Sequence, residues 1–236
     1  MQITATALNS LETDGFTVLK SAVPETQLKI LSEAVEAVRR STSLPGLRNL
    51  LSQSQVVRDF AINGLAAEIA ATLLGCSDSA PKLRPVRGIL FDKTPESNWY
   101  VTWHQDLSIP VREKSETEGY GPWSTKEGIL HVQPPASILE KMVSLRIHLD
   151  PCAIENGAIK FVVGSHLIGK LEPDEIETVR ADREITVCPA DRGDIIAMKP
   201  LILHASSKAI SPNHRRVLHL EYTSAELAGG LAWAEA

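Results

Sequence analysis

MVSLRIHLD (142–150), AIKFVVG (158–164), EITVCP (184–189), DIIAMKP (194–200), LILHASS (201–207) and RVLHLEY (216–222) succeed one another along the second half of the chain. Apolar and polar residues alternate in several of these runs, the two-residue period of a strand with one face buried. Glu155-Asn156-Gly157 and Asp191-Arg192-Gly193-Asp194 fall between runs and combine the residue types that favour tight turns. Upstream, RGILFDK (87–93) and YVTWHQD (100–106) belong to the same series. Short strands at close spacing, without long helices between them, predict a sandwich or barrel and argue against a doubly wound parallel sheet. No glycine-rich loop follows a strand to cradle a phosphate, so nucleotide-binding readings lose ground.

Before this series the pattern is helical. Residues 24–40 open with Pro24 and repeat Leu28, Leu31, Val35 and Val38 at three- and four-residue intervals, which predicts an amphipathic helix packed on the sheet. A second helix is expected from Val56 to Leu74, capped by Gly75, with a turn at Leu44-Pro45-Gly46 between the two. Residues 107–141 break the strand pattern with Pro110, Gly119, Gly121, Pro122, Trp123 and Pro134-Pro135. Long connections in compact domains are usually functional, and this one reads as a lid. One domain over 1–236 is therefore expected, with helical N-terminal additions (about 1–80) and a lid-like insertion (about 107–141).

A net charge of -5 and a pI near 5.8 argue against a nucleic-acid surface, and Lys and Arg are scattered along the 236 residues. A small-molecule substrate is the better expectation. Three widely spaced cysteines, Cys76, Cys152 and Cys188, suit free thiols in a reducing compartment. No signal-like segment or membrane-length apolar run is evident, so the protein is expected to be cytoplasmic.

The chemistry gathers at His104-Gln105-Asp106. Residues two apart on a strand share a face, so His104 and Asp106 can converge on one ion while Gln105 looks away. A distant histidine must complete the set. His204, near the end of an apolar run, is the best candidate, while His148 and His219 compete from alternating strands and spacing alone leaves the choice open. Two imidazoles and one carboxylate with open positions opposite are the arrangement of non-haem Fe(II) oxygenases.

The chain resembles the phytanoyl-CoA dioxygenase family of Fe(II)/2-oxoglutarate-dependent oxygenases, from about Gly15 to Tyr222. The densest matches are WHQD, ENGAIKFVVGSH, the RGD-plus-apolar strand, and LILHASS followed by NHRR. The resemblance implies a double-stranded β-helix, a cupin-like jelly-roll that is mainly β with flanking helices, in which His104, Asp106 and His204 bind iron. It implies that Arg215, with Arg216 as the alternative, grips the far carboxylate of 2-oxoglutarate through a planar fork, and that Ser206 assists. It further implies consumption of O2, decarboxylation of 2-oxoglutarate to succinate and CO2, and coupled hydroxylation of a small molecule. Related halogenases carry a small residue where Asp106 stands, which favours hydroxylation here. Arg146, where the family often has an aromatic, could meet the cosubstrate, an anionic substrate or a structural carboxylate such as Asp150. Trp103, Trp123, His131 and His148 are candidate substrate contacts. A non-catalytic sensor with the same barrel, and a cupin-like iron enzyme that does not use 2-oxoglutarate, are the alternatives.

Overall fold

The computed structural model of the chain describes residues 3–40, 46–76, 83–94, 97–210 and 214–234. Thr4 caps α1 (Ala5–Thr13), its hydroxyl accepting from the Ala7 N–H at 3.2 Å, and β1 (Phe16–Leu19) follows. α2 (Glu25–Arg39) begins after Pro24 and buries Leu28, Leu31 and Val35, the stripe the periodicity predicts. Each such side chain contributes about 1.5–3 kcal/mol relative to exposure. β2 (Gly46–Leu47) then leads into α3 (Leu50–Gln53), α4 (Gln55–Ile62) and α5 (Leu65–Leu73). Of the expected Leu44-Pro45-Gly46 turn, Leu44 and Pro45 lie outside the described residues and Gly46 opens β2.

The single helix expected over 56–74 is two. Ser54 caps α4 through the Val57 N–H at 3.3 Å, and Asn63-Gly64 separates α4 from α5. A Cβ on Gly64 would lie 2.8 Å from the Phe60 carbonyl oxygen, so only glycine lets the chain turn this closely over the preceding helix. α5 ends at Gly75 as expected, with a φ of +63° that no helix continues.

The remaining elements are β3 (Arg84–Lys93), β4 (Val101–His104), β5 (Ile109–Val111), β6 (Trp123–Lys126), β7 (Ile129–Val132), α6 (Ala136–Leu139), β8 (Met142–His148), β9 (Ile159–Val162), α7 (Ile176–Ala181), β10 (Ile185–Cys188), β11 (Ile195–Met198), β12 (His204–Ser206) and β13 (Arg215–Thr223). They build a six-stranded sheet, β1-β11-β8-β13-β3-β2, and a four-stranded sheet, β10-β9-β12-β4. All pairings are antiparallel. The chain passes back and forth between the sheets, β3 to β4, β8 to β9 and β10, β11 to β12, then to β13. This is the double-stranded β-helix that the sequence resemblance implies.

Alternation along β8 divides the larger sheet. Val143, Leu145, Ile147 and the following Leu149 join Leu28, Leu31, Val57 and Ala66 in the core under the helices. Ser144, Arg146 and His148 point the opposite way, into the barrel.

Residues 107–141 are not an irregular connection. They form a three-stranded antiparallel sheet, β5-β7-β6. Its hairpin closes through Glu127 and Gly128, both left-handed at φ 49° and 81°, the two-residue loop whose twist suits paired strands. The C-terminal run packs on this sheet: Trp233 is buried and bridges Val111, and its indole N–H donates to the Ala225 carbonyl at 3.2 Å. All three cysteines are free, with Cys152 and Cys188 buried. Among the described residues no helix is long and apolar enough to cross a membrane.

Candidate metal centre

His104 and His204 are direct partners across the β4–β12 pair, with ring centroids 4.2 Å apart. Asp106 lies just past the end of β4, where its N–H donates to the Pro200 carbonyl at 2.9 Å. Its carboxylate oxygens sit 3.7 Å from His104 Nε2 and 3.7 Å from His204 Nε2. One ligand atom from each of the three residues falls within 4.8 Å of the others.

Both imidazoles are fixed in one tautomer by the backbone. His104 Nδ1 faces the Thr102 carbonyl at 2.8 Å and His204 Nδ1 faces the Ile202 carbonyl at 2.9 Å. A nitrogen against a carbonyl must donate, so each Nδ1 carries the proton and each Nε2 presents its lone pair towards Asp106. Burial pushes His204 down to about 4, keeping it neutral. Burial alone would raise Asp106, but the imidazoles of His204 and His104 hold it down to about 2. Two imidazoles with Nε2 turned to a common point and an ionised carboxylate form a donor set that fits a divalent transition ion.

Gln105, between His104 and Asp106, points to the other side and holds this segment in place. Its amide donates to the Gly169 carbonyl at 2.8 Å and the Leu201 carbonyl at 2.6 Å, and its oxygen accepts from the Leu171 N–H at 2.8 Å. Such supports hold metal ligands in place.

The triad lines a cavity of about 290 Å³ that also includes Arg215, Ser206 and Arg146. Arg215 is 3% exposed, its Nη1 donates to the Gly157 carbonyl, and its Nε has no partner. Arg216, its neighbour on β13, faces outward, bonded twice to Asp150 at 2.7 Å and to Glu36 at 3.0 Å. Alternation along the strand thus selects Arg215 for the cavity. Ser206 accepts from Lys93 Nζ at 3.4 Å, and that lysine is fully buried, with burial lowering it to about 8. Gly157 approaches so closely that a Cβ would lie 2.5 Å from the Ser207 carbonyl oxygen, at a φ of +70°. The Asn-Gly pair is therefore a geometric requirement beside the arginine.

Other sequence expectations need correction. The cavity wall excludes Trp103, Trp123, His131 and His148. Trp103 alternates away from His104 and packs with Val162, Leu171 and Leu203. Trp123 packs within the β5-β7-β6 sheet, under Lys114. His131 is buried and bonded to the Ile129 carbonyl at 3.0 Å. His148 lies buried in the barrel with neither ring nitrogen partnered. Asp150 belongs to Arg216, which removes it as a partner for Arg146. His219 lines the cavity from the larger sheet, bonded to Glu221 at 3.2 Å and apart from the triad. Sequence reading also passed over Arg87, Ile89, Phe91, Lys126, Ile159 and Glu221, all on the cavity wall.

The model of the phytanoyl-CoA dioxygenase (PhyH) family matches residues 11–217. The chain belongs to that family. No curated protein matches it significantly in sequence. Among solved structures, it is similar to SnoK, a non-heme alpha ketoglutarate dependent carbocyclase from nogalamycin biosynthesis, at 17% identity and a TM-score of 0.70, covering 94% of this chain and 84% of that one. It is similar to EctD from S. alaskensis, solved with 2-oxoglutarate and 5-hydroxyectoine, at 16% identity and a TM-score of 0.70 over 94% and 76% of the two chains. HygX from Streptomyces hygroscopicus, solved with nickel and 2-oxoglutarate, aligns at 17% identity and a TM-score of 0.63 over 94% and 87%. At these identities the likeness shows the fold that members of the phytanoyl-CoA dioxygenase family share with them.

Proposed function

We propose that the chain is an Fe(II)/2-oxoglutarate-dependent oxygenase that hydroxylates a small molecule. The observation that carries this reading is the convergence of two Nε2 lone pairs and one carboxylate on a cavity that also holds a buried, half-satisfied arginine. Membership of the phytanoyl-CoA dioxygenase family supports it, as do neighbours solved with 2-oxoglutarate, one of them together with nickel.

His104, Asp106 and His204 would hold the iron. When bound, Fe(II) with 2-oxoglutarate supplies oxidation by O2, coupled to loss of CO2 and formation of succinate. Arg215 lines the cavity and turns its guanidinium to the far carboxylate of 2-oxoglutarate, where a planar fork forms parallel charge-assisted bonds. Ser206 stands beside it. Ile89, Phe91, Val101 and Ile159 line the same space and exclude water, which strengthens those bonds. Leu107, Ser108 and Lys126 bring the β5-β7-β6 sheet to the cavity wall, which supports reading it as a lid. The modest volume, at the lower end of ligand pockets, suits a small substrate.

Anaerobic titration with Fe(II) and then 2-oxoglutarate tests the centre through the visible charge-transfer band of a chelated keto acid. Succinate formed after oxygen admission, followed by mass spectrometry of a substrate screen, tests turnover and hydroxylation. Binding without turnover across the screen identifies a sensor. Iron binding without the band identifies an iron enzyme that does not use 2-oxoglutarate.

A further inference from the structure

The charges lining the cavity do not balance. Arg48, Arg87, Lys126, Arg146 and Arg215 face only Asp106 and Glu221. Arg87 is paired with Glu221 at 2.9 Å and Arg48 with Glu127 at 3.1 Å. Asp106 is committed to the triad and Arg215 to the cosubstrate. Arg146 and Lys126 remain. Lys126 rests on the Ser108 hydroxyl at 2.7 Å, and no carboxylate among the described residues pairs with it.

Arg146 is the sharper anomaly. It is 9% exposed, its Nε has no hydrogen-bond partner, and no ion pair reaches it among the described residues. Its guanidinium lies 5.5 Å from the centre of the Phe91 ring. That contact supports the face of the cation and leaves its N–H edges free. A buried charge without an acceptor is costly, and natural sites retain one when a ligand supplies the acceptor. Burial lowers Arg146 only to about 10, so it stays cationic at neutral pH. Its backbone stands apart from that of Arg215, yet the Arg215 cation still reaches it and adds a like charge that an anion in the cavity would offset. His219, the cross-strand partner of Arg146, is four residues beyond Arg215 on β13, a step of about 13 Å.

We propose that Arg146 is the substrate-recognition residue of this site, binding a carboxylate on the substrate, with Lys126 extending the same anionic preference along the lid-side wall. The proposal rests on the oxygenase reading given above and adds the substrate class, a small organic acid. Its carboxylate would meet the guanidinium edge-on above Phe91, placing the remainder of the molecule towards the triad.

Isothermal titration of the Ni(II)-loaded protein saturated with 2-oxoglutarate tests this, with acetate and benzoate as probes and acetamide and benzamide as neutral controls. Nickel keeps the site occupied without turnover. The wild type is expected to bind benzoate at least tenfold more tightly than benzamide. Arg146→Met should reduce that preference to within twofold while 2-oxoglutarate affinity stays within twofold, and Arg146→Lys should retain part of the preference, which separates charge from folding. Equal binding of acids and amides by the wild type overturns the proposal, as does an undiminished preference in Arg146→Met. Loss of 2-oxoglutarate affinity in Arg146→Met also overturns it and assigns Arg146 to the cosubstrate. If the Ni(II)-loaded wild type fails to bind 2-oxoglutarate at all, the oxygenase reading falls, and the acid and amide titrations on metal-free protein then decide the anion subsite alone.

Discussion

Replacing Arg215 by methionine should remove the anchor of 2-oxoglutarate while preserving most of the volume in the barrel. The guanidinium is 3% exposed, so neither solvent nor salt screens its attraction for a carboxylate appreciably. Truncating one partner of a buried, hydrogen-bonded charge pair costs about 2–5 kcal/mol, about 30- to 5,000-fold in affinity. Burial this deep places the expectation in the upper part of that range, at about 100-fold or more. Arg215→Lys should recover only part of the loss, since an ammonium cannot reproduce the parallel bonds of a planar fork. Arg216→Met is the internal control. That arginine is held by Asp150 and Glu36 on the outer face, so its loss should lower stability by about 1–3 kcal/mol and leave 2-oxoglutarate affinity within twofold. Isothermal titration of Ni(II)-loaded proteins, with circular dichroism to verify folding, measures all three. Affinity within threefold of wild type in a folded Arg215→Met protein would refute the assignment, most directly if Arg216→Met were the variant that weakened binding.

Gln105→Leu should strand the Leu171 N–H and the Leu201 carbonyl, lowering stability by about 2–5 kcal/mol in urea unfolding and weakening Ni(II) binding about 10- to 100-fold; unchanged metal affinity would separate Gln105 from the triad. Gly157→Ala should destabilise the fold and weaken 2-oxoglutarate at least tenfold, because the new methyl meets the Ser207 carbonyl beside Arg215, the proposed anchor; wild-type affinity would show that the turn does not position the arginine. His148 is held neutral by burial, down to about 3 in the fold against about 6.5 unfolded, so its contribution is complete above pH 6.5 and is lost as pH falls towards 3. Wild-type stability in urea should therefore fall about 2 kcal/mol more than that of His148→Leu between pH 6.5 and 4.5, the difference in slope approaching about 1.4 kcal/mol per pH unit at the acid end, and parallel slopes would count against a neutral buried imidazole.

The legible parts of this molecule are those governed by a strand's two-residue period. All eight strand-like runs become β3, β4 and β8–β13, although only the tail of LILHASS pairs, because Leu201, Ile202 and Leu203 are buried apolar residues outside any strand that pack into three separate clusters. The strands β6 and β7 were illegible for the opposite reason: WSTK and ILHV are too short to establish a period, and their hairpin turns on Glu127-Gly128, where a glutamate adopts the left-handed backbone. The cavity wall lay closer to reach. Placing Arg215 inward also places Val217, His219 and Glu221 inward, because they share its face. Their partners across β3 are Lys93, Phe91, Ile89 and Arg87, so one register decides which charges enter the cavity. Shifting that register by one residue would bring Asp92 and Leu90 inside instead. Pairing depends on how distant strands meet, which no local pattern encodes. The Arg87–Glu221 pair, buried between the same two strands, marks the observed register by neutralising two charges that a slipped pairing would leave alone inside the barrel.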